Sequence, residues 1–220
     1  MHQLKYCSSC GSENEFSFID GSSLLPSMAS ICDDLKMPAI ALTDHGNMYG
    51  AVDFYNACTN KNVKPIIGCE FYVAPKSRFE KDPSYTYDHL TVIAKNNKGY
   101  SNLIKLVSKG NLEGFYYRPR IDKEILKEYS EGLIVLSGCP SAELFKKIIL
   151  GDEDLIDETI NWYKNVFGDD YYLEIMRHEN VEGQEKVNKW IIDNHKRLNI
   201  KIVATNDNHY ETKNDYEKEI

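Results

Sequence analysis

Short apolar runs rich in β-branched and aromatic residues alternate along this chain with longer stretches of helical periodicity, and that alternation restricts the fold to the α/β class. The runs predict strands at 38–43 (PAIALT), 64–74 (KPIIGCEFYVA, with a break), 89–94 (HLTVIA), 133–137 (LIVLS), 171–176 (YYLEIM) and 200–205 (IKIVAT). Helices are predicted at 23–35, 48–59, 99–109, 141–149, 153–167 and 182–197. The first presents Leu24, Leu25, Met28, Ile31, Cys32 and Leu35 on one broad face, and the last two carry Trp162 and Trp190 as core anchors. Near-continuous apolar strands separated by helices imply a parallel sheet covered on its outside. Six or seven such units favour a closed barrel in one domain over a short open sheet.

The chemistry-bearing side chains cluster at the strand ends. Asp44 and His45 follow PAIALT, and Glu70 falls at the expected break after KPIIG. Cys139 follows LIVLSG, His178 follows YYLEIM, and Asp207 and His209 follow IKIVATN. In an αβ barrel the strand C-termini open on one face, so these residues would converge there. Carboxylate, imidazole and thiolate groups together suit Zn, Mn or Fe. Read as residues alone, several admit a second role. Asp44-His45-Gly46 is also a turn with a helix cap, Glu70 an exposed turn carboxylate, His89 a core histidine and Cys139 a small buried hydrophobe. His178 also reads as a surface residue, and His2 and His195 as solvated.

Charge and composition exclude several functions. The net charge of −8 argues against a general grip on nucleic acid, which needs a basic face. No run of 18 apolar residues and no secretion-type leader is present, so the expected location is the cytoplasm, with no membrane contact. Six cysteines without such a leader suggest thiols or metal ligands rather than disulfides. Cys7 and Cys10 form a single C-x-x-C that lacks a partner pair at zinc-finger spacing.

The segments MPAIALTDHGNMYGAVDFY (37–55), KPIIGCEFYVAP (64–75), HLTVIAKNNKGYSNLIKLVS (89–108), LEGFYYRPRID (112–122), EGLIVLSGC (131–139), FGDDYYLEIMRH (167–178) and IVATNDNHY (202–210) resemble the PHP domain of bacterial DNA polymerase III alpha subunits. The resemblance runs from Phe16 to Tyr210. It implies a distorted seven-stranded αβ barrel with a metal cluster at the C-terminal ends of the strands. The implied ligands are Asp20, His45, Glu70, His89, Cys139, Asp207 and His209, with Glu70 bridging. Asp44 and His178 would orient ligands or a substrate phosphate.

One departure bears on activity. The family's first strand carries a His-x-His pair, and aligning Phe16 to Gly21 places Gly11 and Glu13 at those positions. Fewer ions of Zn, Mn or Mg than in a full cluster are therefore expected. The resemblance implies a domain of a replicative polymerase, structural or with weakened phosphoesterase activity. The alternative is an active metal-dependent phosphoesterase, either a 3′–5′ exonuclease or a small-molecule phosphatase. A third reading makes Cys7 and Cys10 a replacement metal or redox site. The expected partners are the rest of the polymerase chain, a proofreading exonuclease subunit, and DNA only in the context of the full polymerase. Residues 1–15 read as a divergent N-terminal segment, 16–210 as the domain, and 211–220 as an exit toward a polymerase core beyond residue 220.

Overall fold

A computed structural model describes residues 23–84, 86–178 and 181–207. Helix α1 (Leu25–Asp34) leads into β1 (Ala39–Leu42), and α2 (Ala51–Asn60) leads into β2 (Lys64–Val73). There follow β3 (Asp88–Ala94), α3 (Asn97–Leu112), the short strands β4 (Phe115–Tyr116) and β5 (Arg118–Ile121), and α4 (Lys123–Glu128). The chain continues through β6 (Leu133–Leu136), α5 (Glu143–Leu150), α6 (Glu153–Phe167), β7 (Tyr171–Met176), α7 (Gln184–Leu198) and β8 (Lys201–Thr205). Helix starts follow local chemistry. The side chains of Asn96, Asp122 and Asp152 accept the backbone N–H of Gly99, Ile125 and Leu155, which caps α3, α4 and α6.

Seven strands lie on one path, β4-β5-β2-β3-β6-β7-β8, and β1 joins by pairing with β2. The pairs β1–β2, β2–β5, β6–β7 and β7–β8 are parallel, whereas β3 runs antiparallel to both β2 and β6. The sheet is therefore mixed, a correction to the all-parallel expectation. The run HLTVIA has the same pattern in either direction, so sequence cannot orient it. Strand β2 is also continuous through Glu70, where a break was expected.

Side-chain alternation divides the strands between two cores. On the outer face Cys69, Phe71, Val73, Leu90, Val92, Leu133, Val135, Tyr171 and Leu173 pack against the helices. On the inner face Ile93, Ile134 and Leu136 meet Ile66, Tyr172 and Val203. Strand spacing of about 4.8 Å would keep β8 about 10 Å from β6 in a flat sheet. Packing of Val203 into the same cluster as Ile134 requires the sheet to curl. A smaller core joins α1 and α2 to β1 through Leu25, Met28, Cys32, Leu42 and Phe54.

Some core expectations change. Leu24 and Leu35 are exposed, at 53% and 67%. Trp162 and Trp190 are only partly buried, and Tyr163, Phe167 and Tyr171 fill the core beside α6 instead. Among the described residues no helix is long and apolar enough to cross a membrane. The segments expected to hold Asp20, the Gly11 and Glu13 positions, Cys7, Cys10 and His209 lie outside the described residues.

Candidate metal centre

The inner face changes character along each strand. Toward one end it is apolar, with Ile66 on β2, Ile93 on β3, Ile134 on β6 and Val203 on β8. Two to four residues further on, the same face presents Glu70, Thr91, Glu174 and Thr205, all buried. Beyond these lies the rim formed by the C-terminal ends of the parallel strands. Because β3 is reversed, its first residues reach that rim, and His89 pairs there with Tyr72. A histidine that opens its strand is thereby brought beside residues that close theirs.

Glu70 is the centre of the arrangement. Its Oε1 lies 2.7 Å from His89 Nδ1, 3.5 Å from Cys139 Sγ and 4.0 Å from His45 Nδ1. Cys139 Sγ is also 3.6 Å from His89 Nδ1. Donor atoms of His45, Glu70 and His89 all lie within 4.8 Å of one another, a spacing compatible with a shared ion. The backbone holds this register. Gly46 N–H donates to the Glu70 carbonyl at 2.9 Å, and Glu70 N–H donates to the carbonyl of Asp44 at 3.1 Å, so residues 43–46 continue alongside β2 after β1 ends.

Two glycines make the close approach possible. Gly46 has φ +62°, and a Cβ there would sit 2.6 Å from Pro119 Cγ. Gly138, just before Cys139, has φ +92°, and a Cβ would meet the Ala142 Cβ at 2.6 Å and the His89 carbonyl at 3.1 Å. Aromatic rings wall the imidazoles. Tyr72 stacks on His45 with centroids 5.5 Å apart and meets His89 edge-on at 5.2 Å, while Tyr87 stacks on His89. The Arg118 guanidinium stands 5.8 Å from the centroid of Tyr72.

A second group adjoins the first. Asp207, in the left-handed region at φ +51°, places its carboxylate 3.6 Å from His178 Nε2, an ionic contact too long for a hydrogen bond. That carboxylate raises the His178 imidazole above its ordinary value, against the opposing effect of burial. Burial pushes the Cys139 thiol far up, and Glu70, Asp207 and Glu174 add to the effect. Three carboxyl groups, from β2, from β7 and from just past β8, thus act on one thiol. A cation would relieve that concentration of acid.

Asp44 lies one residue before His45 on the same segment. Its carboxylate is buried and acts electrostatically on Cys69 of the outer core, next to the Glu70 position but facing the other way. Nor does it cap α2, whose N-cap is Gly50. His195 sits on α7 and contacts the Ile200 carbonyl at 3.3 Å, apart from the cluster. Glu174 was not anticipated. It is 3% exposed, its Oε2 accepts the Gly138 N–H at 3.0 Å, and its Oε1 accepts the Thr205 hydroxyl at 2.7 Å. Burial, with Asp207 and Glu70 nearby, moves its carboxyl up to about 8. The one available signal was a lone acid inside the apolar run YYLEIM.

The chain matches the PHP domain family over residues 12–178. It is 42% identical over 93% of its length to the DNA polymerase III subunit alpha of Chlamydia pneumoniae, of which it covers 18%. It is 44% identical over 91% of its length to that of Thermus aquaticus, covering 17%. The chain therefore spans about a fifth of the curated relatives it matches. Among solved structures, a Bifidobacterium adolescentis protein assigned as a metal-dependent phosphoesterase superposes with a TM-score of 0.55 at 13% identity, covering 95% of this chain and 93% of that one. An amidohydrolase from Chromobacterium violaceum, with bound sulfate and no metal, gives 0.59 at 11% identity, covering 93% and 88%. These two likenesses concern the fold.

Proposed function

The chain belongs to the PHP domain family and is homologous to part of DNA polymerase III alpha subunits, and from that membership we propose that it is the metal-holding domain of a replicative polymerase, with phosphoesterase activity weak or absent. The observation that carries this reading is Glu70 Oε1, surrounded by His89, Cys139 and His45 from three other parts of the fold. A buried set of carboxylate, imidazole and thiol donors fits Zn or Mn, and with more oxygen ligands Mg.

In this reading His45, Glu70, His89 and Cys139 hold the ion, joined by Asp207 and by Asp20 and His209. A divalent ion bound there supplies positive charge against phosphoryl oxygens. The chain's own residues set the conditions around it. Tyr72 fixes the planes of two imidazoles, Glu70 accepts from His89 and so selects its tautomer, and Asp207 holds His178 at the rim. With Gly11 and Glu13 in place of the expected His-x-His pair, the full multi-ion arrangement for phosphodiester hydrolysis lacks two imidazoles. The domain, spanning 16–210, then chiefly braces the polymerase chain and adjoins a proofreading exonuclease subunit, meeting DNA within the whole assembly.

The Asp207–His178 pair favours a second reading, an active 3′–5′ exonuclease or small-molecule phosphatase, because it sets a polar pair beside the donor cluster. Release of nitrophenol from a model phosphodiester with added Mn or Zn, read alongside metal content, separates the two. Bound metal with hydrolysis near background is expected. Turnover that disappears in Asp207→Asn or His209→Ala would establish the active reading instead.

A further inference from the structure

We propose that Glu174 is a positioning residue that fixes the Cys139 loop and the Asp207 loop relative to each other and so sets the affinity and coordination of the rim metal site. The inference rests on the metal-holding reading above.

The argument begins with where the backbone ladders stop. Strand β7 lies between β6 and β8. Its ladder with β8 runs from Tyr172 opposite Lys201 to Met176 opposite Thr205, so those strands need no side-chain link to stay paired. The ladder with β6 is much shorter and ends at Leu136 opposite Tyr172. One further backbone bond, from Ser137 N–H to the Tyr172 carbonyl at 2.9 Å, closes it. From there β6 leaves the sheet, and side chains take over. Glu174 N–H donates to Ser137 Oγ at 2.9 Å, and Gly138 N–H donates to Glu174 Oε2 at 3.0 Å. The last ordered contact before Cys139 is therefore made by the Glu174 carboxyl.

The other carboxyl oxygen turns toward β8. Oε1 holds the Thr205 hydroxyl at 2.7 Å, two residues before Asp207. One buried side chain thus touches the residue before Cys139 and the last residue of the strand that leads to Asp207. The loop at Gly138 has little freedom of its own, since its left-handed backbone passes against Ala142 and the His89 carbonyl. A shift there would move Cys139 and disturb His89 together.

A bland structural role is a poor account of this choice of residue. A buried carboxyl near two other acids is costly compared with a hydroxyl or an amide. Glu174 sits among just such neighbours, since both Asp207 and Glu70 act on it. Outer groups that orient ligands are the setting in which an expensive buried carboxyl earns its place. Its contacts, one N–H and one hydroxyl, are those a glutamine could also make, with the amide oxygen facing Gly138 and the amide nitrogen facing Thr205. That equivalence separates positioning from direct ligation.

The test uses the full chain loaded with Co(II), reading affinity by equilibrium dialysis and coordination by the visible absorption spectrum. Glu174→Ala is expected to weaken Co(II) binding roughly 10–100-fold and to alter the spectrum. Glu174→Gln should restore both toward the parent values. Should Glu174→Ala fail to fold, Thr205→Val carries the test by removing one arm of the link, and it should weaken binding and alter the spectrum in the same sense. Binding that is lost in Glu70→Gln but unchanged in Glu174→Ala or Thr205→Val overturns the role of Glu174 and leaves the metal centre standing. Loss in Glu174→Gln as complete as in Glu70→Gln also overturns it, by making Glu174 a ligand. A parent chain that takes up no Co(II) overturns the metal-holding reading, and this inference falls with it.

Discussion

His89 Nδ1 and Glu70 Oε1 lie 2.7 Å apart across an antiparallel strand pair, although their residues stand diagonally rather than directly opposite. Glu70 faces Thr91 in the register, and His89 faces Tyr72. Removal of the imidazole should therefore affect the donor set without breaking the ladder. His89→Ala is expected to lower Mn(II) affinity by at least the roughly 10–100-fold typical of lost supporting groups. His195→Ala, away from the cluster, should leave it unchanged. Isothermal titration calorimetry on the two variants decides, and equal affinities would remove His89 from the donor set.

Metal should stabilise the folded chain in proportion to its occupancy. At a free concentration 100 times Kd the gain is about 2.7 kcal/mol. For a chain of this size that corresponds to a rise in Tm on the order of 5–10 °C. Calorimetric scans with Zn(II), with Mn(II) and with a chelator provide the measurement. A Tm indifferent to all three would mean that the folded state has no preference for the ion.

Away from the rim, Arg78 ties the β2–β3 connection to the start of α4. Its Nη1 lies 3.1 Å from Asp122 Oδ2, its Nε lies 2.7 Å from Glu113 Oε2, and its own N–H reaches Asp122 Oδ2 at 2.8 Å. Arg78 is 6% exposed and Asp122 1%. Arg78→Ala would leave a buried carboxylate without its counter-charge, at a cost of roughly 3–5 kcal/mol. Urea unfolding followed by circular dichroism should show that loss. A change below about 1 kcal/mol, the range of exposed pairs, would mean the pair is effectively solvated.

The protonation of Glu174 gives a pH signature. Its folded value of about 8 exceeds the unfolded carboxyl value of about 4.3, so folding favours the protonated form. The stabilising contribution is complete below the unfolded value and disappears as pH rises through the folded one. The groups acting on it are the Asp207 and Glu70 carboxylates, the Thr205 hydroxyl and the Gly138 N–H. With a chelator present, Glu174→Gln should gain stability relative to the parent chain between pH 5 and 8, by roughly 3–4 kcal/mol. A difference that stays constant across that range would contradict the raised value.

Most of the architecture was legible because the two periodicities are clean. Strand β7 and helix α6 occupy the expected spans, and β1, β2, β6 and β8 fall within a residue or two of theirs. The hairpin Phe115–Ile121 and helix α4 were missed because two to six residues carry too little periodicity to stand out. The direction of β3 was hidden for a different reason, since pattern records which side chains alternate but not which way a strand runs. At the site, His45, Glu70 and Cys139 come together as strand-end reasoning required, while His89, which only the family resemblance had placed there, joins them because β3 is reversed. Glu174 escaped notice because its task depends on where the β6–β7 ladder stops, a tertiary fact.

The reversal of β3 also determines where this fold can absorb new sequence. Parallel neighbours need a crossover that travels back along the outside of the sheet, so any enlargement there must displace helices. The connection from β2 to β3 makes no such journey, because Val73 pairs with Asp88 and the two strands meet at one end of the sheet. Extra chain inserted there after Glu80, clear of the Arg78 and Glu80 contacts to Glu113, Asp122 and Arg120, would lengthen the connection without displacing a crossover helix. Descendants of this architecture could remodel access to the centre there while inheriting their foundation intact.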